Sequence, residues 1–130
     1  MIYEDAERII ELTLQTQWTK TPIDFDNVHF ESRRGQPFIR LQIEWSIADG
    51  IGPFRNRYGG DIMISVFVPG KMGSRLSAQY IDRLQAIFAA LKHEHLQIRP
   101  ARVQRVGDFE EWYQRNLLIP FTYDYCKEVE

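Results

Sequence analysis

"FIRLQIEWSI", residues 38–47, decides how the chain is read. Ile39, Leu41, Ile43, Trp45 and Ile47 alternate with Arg40, Gln42, Glu44 and Ser46. A period of two sends successive side chains to opposite faces, so this stretch is a strand with one face in a core and one face wet. Residues 61–68 form the next strand. Ile62, Ile64, Val66 and Val68 share one face and Met63, Ser65 and Phe67 the other. Both faces are largely apolar, which predicts a central strand covered on both sides. Between the two strands lies "ADGIGPFRNRYGG", residues 48–60, with four glycines and a proline. It reads as a long loop.

Upstream, residues 3–18 place Ala6, Ile9, Ile10, Thr13, Leu14 and Trp18 at helical spacing, which predicts an amphipathic helix. Acidic residues in its first turn suit the helix dipole, and Thr21-Pro22 marks its end. A short strand is expected over residues 27–31, followed by a hairpin connection through "SRRGQP", residues 32–37. Downstream, residues 74–92 form a second helix with a wide apolar stripe, and Ser74 is its expected N-cap. Residues 96–106 read as a strand interrupted by Pro100, hence an edge or a bulge. Residues 107–111 turn, and residues 112–125 form a last long strand with Leu117, Ile119, Phe121, Tyr123 and Tyr125 along one apolar face, in which Pro120 again hints at a bulge or a free edge. Helix, three strands, helix and two strands predict an α+β fold. It is a single domain over residues 1–130, with a mostly antiparallel sheet of about five strands and two helices.

Composition narrows the function. The chain has 130 residues, 44% hydrophobic and 26% charged, with a formal net charge of −2. That size supports a core without staples, and that charge argues against bulk binding to nucleic acid or an anionic membrane. Cys126 is the single cysteine, so neither an intrachain disulfide nor a multi-cysteine zinc site is possible, and a reducing compartment fits. A plain buried or half-buried thiol is expected there. The N-terminal residues are acidic and broken by charges, unlike a signal peptide, and no apolar run reaches membrane-spanning length.

Four stretches suggest chemistry and none carries it. "VPGKMG" has the strand–turn–lysine–helix order of a phosphate loop. In G-x-x-x-x-G-K-[ST], however, Ser65 stands at the first glycine and Met72 at the hydroxyl position. It reads as a turn in which glycines supply positive φ. His93-Glu94-His95 lacks the H-E-x-x-H spacing and reads as a solvated helix end. The carboxylates of "DFEEW" have no partnering base pattern. Arg33-Arg34, Arg55/Arg57 and Arg99/Arg102/Arg105 read as charged outer faces. The aromatics that might stack bases fall on the expected core faces. No enzymatic site, metal or cofactor is expected from these residues.

The arrangement as a whole resembles a known family. "FDNVHF", "GQPFIRLQI", "GGDIMISVFVPGKMGSRLSAQYIDRLQAIF" and "EWYQRNLLIPFTYDY" are similar, in that order, to small phage and prophage minor tail or tail-completion proteins of long-tailed phages, relatives of tail terminators. The likeness spans residues 6–125. Its most specific parts are "VFVPGKMG" and "YQRNLLIPFTY", which are packing and turn signals. "AALKHEHLQI" departs from the glycine turn expected after the second helix. The resemblance implies a structural, non-enzymatic protein without cofactor that caps the tail tube, usually as a hexameric ring. Its partners would be its own copies, the tail tube protein and a head-completion or connector protein, with no sequence-specific nucleic acid and no membrane. It would reside in the host bacterial cytoplasm during assembly and then in the virion tail. The 48–60 segment supplies the expected subunit or tube interface through Ile51, Phe54, Arg55, Arg57 and Tyr58, since aromatics and arginines dominate interface energetics. The competing expectation is a small-ligand or enzymatic domain with a pocket between sheet and helices.

Overall fold

A computed structural model describes residues 2–25, 31 and 35–126. The elements are α1 (Ile2–Gln17), β1 (Ile23–Phe25), β2 (Phe38–Gly52), β3 (Arg55–Pro69), a 3-10 turn (Gly70–Met72), α2 (Gly73–Ala89), β4 (Leu96–Ile98), β5 (Arg102–Phe109) and β6 (Trp112–Cys126). They form an α+β domain with a mixed sheet of six strands, ordered β1-β2-β3-β6-β4, in which β5 also pairs with β6. β1 runs parallel to β2, and all other pairings are antiparallel. β3 and β4 point the same way on either side of β6, so α2 crosses over β6 to join them.

The alternation in β2 and β3 sets the core. Ile39, Leu41, Ile62, Ile64, Val66 and Val68 are buried on one face with Leu117, Ile119 and Phe121 of β6. Both helices lie on that face. α1 contributes Ala6, Ile10, Leu14 and Trp18, and α2 contributes Ile81, Leu84, Ile87 and Phe88. Trp18 locks the helices together, its ring edge-on to Tyr80 at 5.3 Å and its indole N–H donating to Thr21 Oγ1 at 2.9 Å.

The opposite face of β3 is covered differently from the expectation that aromatics stay in the core. Phe38 stacks on Phe67 at 4.6 Å and meets the Trp112 ring edge-on at 5.2 Å. The Arg40 guanidinium lies 5.2 Å over Phe67. This aromatic layer buries Phe38 and Phe67 where no helix packs.

Several local expectations change. Residues 27–30 of the expected strand and 32–34 of its connection lie outside the described residues, and the first strand seen is Ile23–Phe25. Residues 48–60 are not a loop. β2 and β3 continue as one long hairpin closed by Pro53 and Phe54, with Gly52 opposite Arg55. Glycine and proline content concealed this, since the glycines serve strand bulges and close approaches. Met72, not Ser74, occupies the N-cap of α2, and no side chain caps it. Pro100 falls in the gap between β4 and β5, as an interrupted edge requires. Pro120 marks no free edge, because β6 is paired on both sides. Its carbonyl accepts from Arg99 N–H at 2.8 Å. The N–H and C=O of one strand residue point the same way, so its missing donor faces that same gap and no ladder bond is lost.

A β-bulge flips the end of the alternating run. Trp45 pairs with Gly60 and Ile47 with Gly59, leaving Ser46 unpaired, so Ile47 turns away from the core and is exposed. Gly60 makes this possible: a Cβ there would sit 1.8 Å from the Glu44 carbonyl oxygen. A Cβ on Gly59 would come within 2.6 Å of the Phe121 carbonyl oxygen. Gly60→Ala should therefore cost at least about 3 kcal/mol in urea titration, because the obstacle is the β2 backbone at Glu44 and Trp45. Gly50→Ala, whose Cβ would meet only Asn56 Oδ1 at 3.8 Å, should stay within about 0.5 kcal/mol.

Candidate functional site

Beyond the Gly59-Gly60 pair the sheet continues as an arm of β2, β3 and β6, flanked by β4 only as far as Tyr123. β2, β3 and β6 stay paired to the end, with Arg55 opposite Gly52 on one side and Cys126 on the other. From Gly60 to the tip this is about 20 Å at strand rise. A second bulge places Ile51 between Gly50 and Gly52. Bulges bend and twist a strand, so β2 curls over the arm.

The five predicted interface residues divide by environment. Ile51, Phe54 and Arg55 are exposed at the distal end. Phe54, at 55% exposure, is the most exposed of the large apolar side chains among the described residues. Pro53 precedes it and its own φ is 61°, the pattern of a type II turn that normally carries glycine at the second central position. A left-handed phenylalanine costs about 1–2 kcal/mol.

Arg57 and Tyr58 hold the arm rather than ending it. Arg57 donates Nε–H and Nη2–H to the two oxygens of Asp124 at 2.8 and 3.0 Å, a bidentate pair directly across β3 and β6. These hydrogen bonds hold the Asp124 carboxyl below its ordinary range, against the opposing effect of burial, and raise the Arg57 guanidinium. Tyr58 lies on the helix face, edge-on to Tyr3 of α1 at 5.5 Å, and Tyr3 meets Trp45 at 4.7 Å. Trp45 in turn packs on Phe121 at 5.0 Å across the bare Gly60.

Sequence reasoning missed Ile47 and Tyr125, which it assigned to core faces. They are 38% and 42% exposed. The flip at Ser46 explains Ile47. Tyr125 keeps its phase but lies on the arm, opposite Asn56. The available signal was Gly59-Gly60, two adjacent strand glycines that mark a close backbone approach.

Of the other sequence candidates, Arg33 and Arg34 lie outside the described residues. The Gly70 N–H of the phosphate-loop-like turn donates to the Glu111 carbonyl at 2.9 Å, and Lys71 is exposed. The His95 ring pairs with Glu94 at 2.7 Å, and the His95 backbone N–H donates to His93 Nδ1 at 3.2 Å. Among the described residues no group of three metal-ligating side chains forms. The two histidines flank Tyr123 in an open groove of about 510 Å³ beside α1, where burial raises the Tyr123 phenol, helped by Asp5, Glu94 and Tyr125. Cys126 is exposed at the arm, not buried or half-buried as expected. Arg99 lies outside the strands, Arg102 on the outer face and Arg105 on the helix face, so the three do not form one strip. Among the described residues no helix is long and apolar enough to cross a membrane.

No family model and no curated protein matches the sequence. A solved structure is similar over 94% of this chain and 98% of its own, with 17% identity and a TM-score of 0.61. At that identity the likeness concerns the fold.

Two outcomes follow from the arm. Phe54→Gly should raise stability by about 0.5–1 kcal/mol in urea titration, since relief of the left-handed strain exceeds glycine's added chain entropy. Asp124→Asn should lower the urea midpoint near neutral pH. The folded Asp124 carboxyl titrates below its unfolded value, so the pair's contribution is present above the ordinary carboxylate range and is lost as pH falls through the folded value. The difference between wild type and Asp124→Asn should therefore hold from neutral pH down to about 5 and shrink below about 4.

Proposed function

We propose that this chain is a structural subunit of a long-tailed phage or prophage tail, a tail-completion protein that caps the tail tube as a ring, usually of six copies. The observation that supports this most directly is the arm. It presents Ile47, Ile51, Phe54 and Tyr125 to solvent on a frame pinned by the Arg57–Asp124 pair and the Tyr3–Trp45–Tyr58 contacts. Exposed aromatic and aliphatic side chains on a rigid support fit an interface that must form without large ordering cost. A ring uses head-to-tail contacts between unlike surfaces of one subunit, and an arm that projects from the body reaches a neighbour or the tube end. The sequence resemblance to tail-completion proteins supplies the partner classes: its own copies, the tail tube protein and a head-completion or connector protein.

The double variant Ile51→Ser with Phe54→Ser tests the reading. It should keep the far-ultraviolet circular dichroism of the wild type and melt no lower, because neither side chain is buried. It should fail to form rings with tail tube ends in negative-stain electron microscopy and fail to complete tails in a complementation assay. A wild-type protein that neither forms rings nor binds tube ends would overturn the assignment.

A further inference from the structure

At the end of the sheet opposite the arm, β5 and β6 place two arginines face to face. Arg105 and Arg115 are direct partners in the β5–β6 register, on the same face as Leu117 and the helices. Like charges opposed across a strand pair are destabilising, and the usual relief is a carboxylate. Among the described residues neither guanidinium forms an ion pair. Asp108, opposite Tyr113 on that face, forms none with either.

The phenol of Tyr113 sits between the two charges. Arg115 Nη2 donates to Tyr113 Oη at 3.4 Å, a long hydrogen bond. The Arg105 and Arg115 guanidinium carbons lie 5.9 and 5.8 Å from the Tyr113 ring centre. Arg115 Nε is buried and has no hydrogen-bond partner. Buried donors are normally satisfied, and a buried charged donor most of all. The arrangement thus holds two guanidinium groups with most of their donors unspent. A hydroxyl lies between them, and Arg105 remains open to solvent.

We propose that Arg105, Arg115 and Tyr113 form a binding site for an oxyanion, a phosphate or a carboxylate. Forked guanidinium donors match the spaced oxygens of either group. The anion neutralises the opposed pair and lies within reach of the Tyr113 hydroxyl. Arg115 forms the half-buried floor of the site and Arg105 the exposed wall. The arginine environment, Arg115 foremost, also shifts the Tyr113 phenol downward, as a locally positive field requires.

The test compares anions at matched ionic strength. Inorganic phosphate at about tenfold its dissociation constant should raise the melting temperature by about 4 °C relative to sodium chloride. It should also move the Arg115 Nε–H signal in ¹H–¹⁵N spectra. Arg105→Gln, at an exposed position, should weaken phosphate binding at least tenfold while leaving the melting temperature in chloride unchanged or higher. Acetate separates the sources of the ligand. A response to acetate equal to that for phosphate assigns the site to carboxylates, such as one from a second copy, and a response to phosphate alone assigns it to phosphate. An equal effect of chloride, or a phosphate response that Arg105→Gln leaves intact, overturns the proposal.

Discussion

Everything distal to the core depends on the absence of two side chains. Gly60 lets the β2 backbone at Glu44 and Trp45 descend where a Cβ would stand, and Gly59 admits the Phe121 carbonyl on the other side. With nothing on Gly60, the rings of Trp45 and Phe121, which flank it in the neighbouring strands, meet above it at 5.0 Å. The close approach coincides with the bulge at Ser46, and the bulge inverts the facing of β2 beyond it. One continuous sheet thereby becomes two parts. The first is covered by α1 and α2. The second is an arm that α1 meets at Tyr58, with Ile47, Ile51 and Phe54 left exposed.

The arm is held at some local expense. The Trp45 indole nitrogen is buried without a hydrogen-bond partner, a state that costs about 1–3 kcal/mol for a neutral donor. Its ring contacts with Tyr3 and Phe121 offset this, as edge-to-face pairs contribute about 0.5–1.5 kcal/mol each beyond the area they bury. On the other face the Arg57–Asp124 fork spans β3 and β6. The two faces are thus tied by different chemistry. Aromatic packing links the arm to α1, and a charge-assisted hydrogen-bond pair links its strands to each other.

How much of this was legible in the sequence follows from what each signal measures. Alternation measures facing, so β2 as far as Trp45, β3 from Ile62 and β6 were readable, and so were both helices. Alternation cannot register an inserted residue, and Ile47 was therefore placed in the core. Turn composition signals flexible backbone without saying where it bends. The segment from Ala48 to Gly60 looked like a loop because its glycines serve bulges and close approaches within strands. The turn itself holds Pro53 and, at positive φ, Phe54, a residue that no turn rule selects. Pro120 was misread because a proline inside a paired strand is tolerated where the partner strand is broken, and that break, at Pro100, is a tertiary fact. For the interface candidates the residue types were readable. Which of them project and which brace the arm was not, since Arg57 needed Asp124, 67 residues away, and Tyr58 needed Tyr3. Arg115 was the overlooked signal, a charge in phase with Tyr113, Leu117 and Ile119 on an otherwise apolar face.

The departures from local consistency are not scattered through the molecule. The core obeys every rule of pattern and burial, with Ile62, Ile64, Val66 and Leu117 fully enclosed. Apart from the Trp45 nitrogen at the base of the arm, the exceptions lie at the two ends of the long strands. At one end are the left-handed Phe54 and the exposed apolar residues of the arm. At the other are the opposed Arg105 and Arg115 with an unsatisfied buried donor. Along β3 the two ends lie about 36 Å apart at strand rise, from Arg55 to Val66, the partner of Arg115. Natural sequences keep such inconsistencies chiefly where function demands them. The proposed ring needs two unlike surfaces set apart on one subunit. A stiff β-sheet with an apolar arm at one end and a cationic corner at the other meets that requirement with one element, since β3 and β6 run through both.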